Sequence, residues 1–293
     1  MVREGRVIGS ITSQDIAEWR AGQEAAGLAP ATVHRHYVVL KAAFIYAHEM
    51  EIIPRNPTLA TKRRGRAPSL IKPVRGRDIP STKEVQDIFE AMWGPLKASV
   101  WLMAGTGARP GEALAVSRSS LEAPDGLLKL WQQVTSFSGN ETKGRATGFK
   151  NELKWSREPR FVPYSYTVQL AVERHMAEFG TWGEHGWLFE SPKCKNQPFS
   201  LKGYDTRWKR ALRDAGLEHT GCTPKSLRHY FASVCIAGGV PVFEVAKWLG
   251  HKGTRVTEAT YVHLLADAHL RSTDAIELAI VENAQHAQEA RWS

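Results

Sequence analysis

Two short stretches of this chain put cations where a helix begins. In Gly105-Thr106-Gly107-Ala108-Arg109-Pro110-Gly111-Glu112, Pro110 suits a first helical position, where its missing N–H would be unpaired anyway. The residue before a proline is pushed out of the α region, so Arg109 is expected at the lip of a helix N-terminus. Free amides and the helix dipole favour an anion there, and a guanidinium adds bidentate phosphate geometry. Thr223-Pro224-Lys225-Ser226-Leu227-Arg228-His229 repeats the design, with Thr223 as N-cap and Pro224 as first helical residue. Lys225 and Arg228 lie three apart on one face near the positive helix end. Two cations there repel the dipole unless an anion is the intended occupant. His251 follows a short amphipathic helix ended by Gly250, and Tyr261 comes ten residues later. Taken singly, this histidine reads as a solvated or capping residue and this tyrosine as a core or rim residue.

The elements that must position these residues can also be read. Thr12-Ser13-Gln14-Asp15 has the spacing of a capping box, and a helix follows to about Ala26, ended by Gly27. Pro30 starts a longer helix with Val33, Tyr37, Leu40 and Phe44 on its core face. His34, Arg35 and Lys41 decorate the other side, and Pro54 and Pro57 stop it. Ser81-Thr82-Lys83-Glu84 is a second capping box. It opens a helical stretch through Val100 and Leu102 that ends at Gly105. Leu127–Val134 and Arg160–Pro163 read as strands around a polar, glycine-rich insertion. Helices are then expected over about 167–179, 201–215, 224–237 and 241–249. The fold class is mainly α with a small antiparallel β-sheet (α+β). Ile276, Ala279 and Ile280 mark a modest amphipathic tail helix.

Composition narrows the function. The chain has 293 residues, enough for about two domains, and 39 Lys+Arg against 30 Asp+Glu give a net charge of +9. Such an excess points to a polyanionic partner, most often nucleic acid. It is concentrated in Lys62, Arg63, Arg64, Arg66, Lys72, Arg75 and Arg77, interspersed with Pro68, Pro73 and Pro80. Prolines and like charges do not build a core, so this reads as a basic linker able to lie on phosphates. Three cysteines without C-x-x-C spacing argue against a zinc ribbon or a disulfide scaffold and fit a reducing cytosol. The sequence shows no signal peptide at Met1–Ser10, no apolar run long enough for a membrane span and no G-x-x-x-x-G-K-[ST] loop. No metal site or cofactor is expected.

Order and spacing together carry a specific resemblance. Ala104–Leu114 (A-G-T-G-A-R-P-G-E-A-L), Lys154–Pro163, Thr223–Ser233 (T-P-K-S-L-R-H-Y-F-A-S), Leu249-Gly250-His251 and then Tyr261 resemble the tyrosine recombinase (phage integrase) family. The resemblance implies a helical core-type DNA-binding domain over 1–62, a basic linker over 63–80 and a catalytic domain over 81–293 with a tail helix. It also implies a chain that begins inside the core-binding domain. The activity implied is site-specific cutting and rejoining of DNA through a 3′-phosphotyrosyl bond, as in a phage or mobile-element integrase. Tyr261 would be the nucleophile, Arg109 and Arg228 the phosphate clamp, and Lys154 the acid for the leaving 5′ oxygen, with Lys150 or Lys143 as alternatives. Lys225 and His251 would assist. Lys225 stands where the family usually has histidine, and lysine, with a reference pKa near 10.4, is a charged donor rather than a base. His34, Arg35, Lys41, Lys62, Arg63, Arg64 and Arg66 are the expected DNA-binding residues. The implied partners are double-stranded recombination sites, a homotetramer joined through the tail and accessory DNA-bending proteins, in the cytoplasm at the prokaryotic nucleoid. Two other readings stay open: a type IB topoisomerase-like enzyme, and a catalytically silent DNA-binding homologue.

Overall fold

Both capping boxes form. Thr12 N–H donates to Asp15 Oδ2 at 2.8 Å and Asp15 N–H to Thr12 Oγ1, opening α1 (Ser13–Ala25). Ser81 N–H donates to Glu84 Oε2 at 2.6 Å and Glu84 N–H to Ser81 Oγ, opening α3 (Thr82–Ala91). Each satisfies two amides that a helix start leaves unpaired. The computed structural model describes residues 7–59, 79–123, 126–138, 145–153 and 158–265. The chain divides into two compact units, Met1–Lys72 and Pro73–Ser293.

In the first unit α1 is followed by α2 (Pro30–Glu49). Ile16, Phe44, Ala47 and Ile53 form its buried centre, with Ile11, Tyr37 and Leu40 packed around it. The expected core face of α2 is therefore present, with Val33 buried as well. The same helix leaves Val38, Val39 and Tyr46 exposed, so it is apolar on two sides. Arg35 is exposed and His34 and Lys41 are half-buried.

The second unit is built around α4 (Lys97–Thr106), which buries Ala98, Ser99, Val100, Leu102, Met103, Ala104 and Thr106. A helix buried on nearly every side belongs to the centre of a domain. The helical stretch expected from Ser81 to Gly105 is two helices: α3 ends at Ala91 and α4 starts at Lys97, with Gly94-Pro95 between them. Pro95 lacks the N–H that a continuous helix would need. Two four-residue helices follow, α5 (Pro110–Ala113) and α6 (Arg118–Leu121). The strand expected over 127–134 is likewise two. β1 (Leu127–Leu130) pairs antiparallel with β4 (Arg160–Pro163), Leu130 opposite Arg160. β2 (Gln133–Ser138) pairs antiparallel with β3 (Arg145–Lys150), Gln133 opposite Lys150. The break falls at Trp131-Gln132. Gln132 donates to Asn151 Oδ1 at 2.7 Å and accepts from Trp187 Nε1 at 3.1 Å, so its side chain ties the second sheet to a distant loop.

Four longer helices complete the unit: α7 (Tyr166–Phe179), α8 (Leu201–Asp214), α9 (Pro224–Ala237) and α10 (Val242–Leu249). Then comes α11 (Thr254–Leu265). Helix α9 presses Leu227, Phe231, Ala232 and Ile236 into the core beside α4, and α8 contributes Tyr204 and Trp208. Tyr204 Oη and Ser99 Oγ pair at 2.9 Å, so the buried hydroxyls are satisfied. The core thus fixes the N-terminal ends of α5 and α9 and the C-terminal end of α10 against one another. The tail beyond Leu265, with Ile276, Ala279 and Ile280, lies outside the described residues.

Candidate active site

Arg109 occupies the N-cap position of α5 in extended conformation, as Pro110 dictates. Its guanidinium does not point freely at solvent. Nη1 donates to Glu112 Oε1 at 2.7 Å, and the Arg109 N–H donates to Glu112 Oε2 at 2.9 Å. Arg160 Nη2, from the first residue of β4, donates to the same Oε2 at 2.6 Å. Glu112 is thus a buried carboxylate held by two guanidiniums. Burial by itself would raise its pKa, but Arg160 and then Arg109 outweigh it and hold the carboxyl at about 2.

Arg228, one turn into α9, is 6% exposed. Nη1 donates to the Gly107 carbonyl at 2.6 Å, and Nη2 to the Leu249 carbonyl and to His251 Nε2 at 3.2 Å. Burial first, then the Arg109 cation, pull its pKa down to about 9, so it stays charged at neutral pH. These bonds use three of a guanidinium's five N–H groups. Gly107 has φ +64°, and a Cβ there would come within 2.6 Å of Phe231 and 2.8 Å of Leu249. Only glycine turns the chain so that its carbonyl meets Arg228.

His251 follows the left-handed Gly250, which has φ +65°. A Cβ on Gly250 would stand 2.6 Å from Arg160 Nη1, so Leu249-Gly250-His251 needs its glycine for conformation and for clearance. The His251 Nδ1 pairs with Thr257 Oγ1 at 2.8 Å, which leaves Nε2 as the acceptor facing Arg228. Burial, then the Arg228, Arg109 and Arg160 cations, depress its pKa to about 4, so the imidazole is neutral at pH 7.

Tyr261 is 2% exposed and sits in α11 where the backbone leaves helical geometry (φ −115°, ψ 18°). Its hydroxyl pairs with His229 Nδ1 at 2.7 Å. Burial raises the phenol's pKa well above 10, and Arg228 offsets part of the rise. A cavity of about 730 Å³ opens beside these groups, lined by Arg109, Arg160, His251, Lys252 and the apolar Phe243 and Trp248. Arg228 and Tyr261 are not among its lining residues.

The structure therefore brings Arg109, Arg228, His251 and Tyr261 together through direct and shared contacts. Lys225 is exposed on the first turn of α9, away from these bonds. Lys154 and Lys143 lie outside the described residues. Lys150, at the end of β3, pairs with Glu152 Oε2 at 3.2 Å. Lys62, Arg63, Arg64 and Arg66 also lie outside the described residues.

Sequence reasoning missed Glu112, Arg160 and His229 as site members. Glu112 had a local signal, a carboxylate three residues after an N-cap, as in a capping box. Arg160 and His229 had none, because their partners are 48 and 32 residues away.

Comparison with known proteins joins this geometry to a lineage. Residues 81–268 match the model of the phage integrase family. The chain belongs to the phage integrase family. Within it, the chain is 40% identical to an integrase of Streptomyces ambofaciens over 135 residues, 46% of this chain and 33% of that protein. It is 27% identical to tyrosine recombinase XerD of Corynebacterium glutamicum over 212 residues, 67% of this chain and 61% of that protein. The chain thus spans between a third and two thirds of these relatives. In fold it resembles the Tn1549 transposon integrase solved in complex with circular intermediate DNA, with TM-score 0.68 and 18% identity, covering 92% of this chain and 86% of that one. It also resembles a lambda integrase dimer bound to a core site, with TM-score 0.58 and 19% identity, covering 86% and 80%. Both share the mainly helical architecture with small antiparallel sheets. Among the described residues no helix is long and apolar enough to cross a membrane.

Proposed function

We propose that this phage integrase family member is a site-specific DNA recombinase of the mobile-element integrase type. The observation that carries the reading is buried Tyr261, whose hydroxyl pairs with His229, the residue after Arg228, which is itself locked to Gly107 and His251. In this reading Tyr261 Oη attacks the scissile phosphorus, a 3′-phosphotyrosyl bond forms, and the bond to the 5′ oxygen breaks. The 5′ hydroxyl of a partner strand reverses the step. Arg109 and Arg228 stabilise the negative charge that grows on the non-bridging oxygens, the electrostatic role suited to fixed guanidiniums in a low-dielectric site. Neutral His251 assists by orienting the Arg228 guanidinium through Nε2. Lys154 protonates the leaving oxygen. Leu153 and Glu158, which border its segment, both line the cavity, whereas Lys150 is engaged by Glu152. Lys225 contributes charge at the α9 N-terminus.

The partner is double-stranded DNA. His34, Arg35 and Lys41 of the first unit and the basic segment from Lys62 to Arg66 hold its phosphates. Assembly as a tetramer on DNA through the tail, help from DNA-bending proteins and residence at the nucleoid belong to the same proposal. The relatives' names, integrases and recombinases throughout, support this over a topoisomerase-like activity. A silent homologue would have no reason to keep Arg109, Arg228 and Tyr261 together.

The test is covalent capture. A pool of nicked duplexes randomised over the core is incubated with the protein, and denaturant-resistant adducts are isolated and sequenced. Wild type is expected to yield adducts that converge on one core sequence, and Tyr261→Phe to yield none while still binding DNA. Absence of any adduct with wild type defeats the reading.

A further inference from the structure

We infer that His229 is the group that takes the proton from Tyr261 when the phosphotyrosyl bond forms. This rests on the recombinase reading above and names the base that reading leaves open.

The geometry is direct. Tyr261 Oη and His229 Nδ1 are 2.7 Å apart, a hydrogen bond already made between the reacting oxygen and an imidazole nitrogen. The rings are tilted at 59° with centroids 5.9 Å apart, so the bond lies at the imidazole edge and not over its face. The position of His229 is fixed by its neighbours. Arg228, the preceding residue, is anchored to the Gly107 and Leu249 carbonyls, and Ser233 Oγ donates to the His229 carbonyl at 2.8 Å. A base held on a helix by such anchors keeps its geometry.

The other candidates are otherwise engaged. His251 faces Thr257 through Nδ1 and Arg228 through Nε2, and neither nitrogen pairs with the phenol. Lys225 is exposed on the first turn of α9. The phenol needs a base, because its burial disfavours the phenolate.

The step balances as follows. With His229 in the Nε2–H tautomer, its Nδ1 lone pair accepts the Oη proton as the Oη–P bond forms. The P–O5′ bond breaks and the 5′ oxygen receives a proton from the acid, Lys154. The resulting imidazolium faces a site that has gained the phosphodiester's negative charge. On rejoining, His229 returns its proton to Oη as the Oη–P bond breaks.

The experiment is single-turnover cleavage of a nicked duplex recovered from the captured pool, with full-length wild type, Tyr261→Phe, His229→Ala and His229→Asn. His229→Ala is expected to slow adduct formation by about 10² or more, the usual scale for losing a general base, with unchanged DNA affinity. His229→Asn, which keeps a hydrogen-bonding group near the Nδ1 position but no base, stays comparably slow. Added imidazole accelerates His229→Ala and leaves His229→Asn slow. A duplex with sulfur in place of the bridging 5′ oxygen, a leaving group that needs no acid, does not rescue His229→Ala. A His229→Ala rate within about twofold of wild type, or full activity in His229→Asn, overturns the proposal while wild-type adducts leave the recombinase reading standing. If His229→Ala does not fold, the slow folded His229→Asn supports the base role and a fast one refutes it. No adduct with wild type overturns both.

Discussion

Glu112 is the residue on which two of the cations depend. Glu112→Gln removes the charge that compensates buried Arg160 and partly buried Arg109. Breaking one side of a buried ion pair costs about 3–5 kcal/mol. The variant is therefore expected to unfold at distinctly lower denaturant concentration and to lose adduct formation, checked by chemical denaturation beside the capture assay. The pH dependence has a definite sign. The folded carboxyl titrates at about 2, below its ordinary 4.5, so its contribution is full above pH 4.5 and is lost as pH falls toward 2. That contribution is on the order of 3 kcal/mol, and Glu112→Gln should flatten the acid limb of the stability curve. His251 behaves differently: with its pKa depressed to about 4, the imidazole stays uncharged across pH 5–8. Its ring-proton NMR shifts are expected not to move over that range, and a titration near 6.5 would contradict the buried arrangement beside Arg228. Arg109, Arg228, His251 and Tyr261 were named through the family resemblance that their motifs carry, not from any one residue alone. Glu112 as a shared counter-ion and His229 as the tyrosine's partner were not, because each is defined by a contact across the fold.

Elements were legible where their ends carry local chemistry. The capping boxes at Thr12 and Ser81, the proline starts of α2, α5 and α9, and the glycine stop after α10 all act within one helical turn. The Trp131-Gln132 break between β1 and β2 was not legible, because Asn151 and Trp187 hold it from other segments. Gly94-Pro95 did signal the α3–α4 break, but the apolar spacing on either side runs on through it. The left-handed glycines make a test at this scale. Gly250→Ala puts a side chain at φ +65° and a Cβ against Arg160. The conformation alone costs about 1–2 kcal/mol. Displacing Arg160 also disturbs Glu112 and, through it, Arg109. The cleavage rate is expected to fall further than DNA affinity or the denaturation midpoint, and equal loss in all three would mean that Gly250 serves folding alone.

At the scale of the whole molecule the charge has two kinds of location. Arg109, Arg160 and Arg228 are partly or wholly buried and spoken for by Glu112, carbonyls and His251. In the proposed function they stabilise one phosphate and add little to grip elsewhere. The seven cations between Lys62 and Arg77 have one acid among them at most, Asp78, just past the end. Cations of this kind gain affinity by releasing condensed counterions, which makes binding fall with salt at about 0.9 in log–log slope per phosphate contact. Replacing Lys62, Arg63, Arg64 and Arg66 with glutamine should therefore lower that slope by as much as about 3.6, measured by fluorescence anisotropy on a labelled duplex across a salt series. Affinity for cognate and scrambled duplexes should drop by the same factor, because phosphate contacts carry no sequence information. At saturating DNA the single-turnover cleavage rate should match wild type, since the proposed function assigns these four to phosphate grip and not to the chemistry. An unchanged salt slope would remove the segment from the DNA interface and leave the net charge of +9 to be explained by the folded units. A lost cleavage rate at saturation would instead show that these cations also serve the chemistry, and that holding and breaking DNA are not separable tasks in this chain.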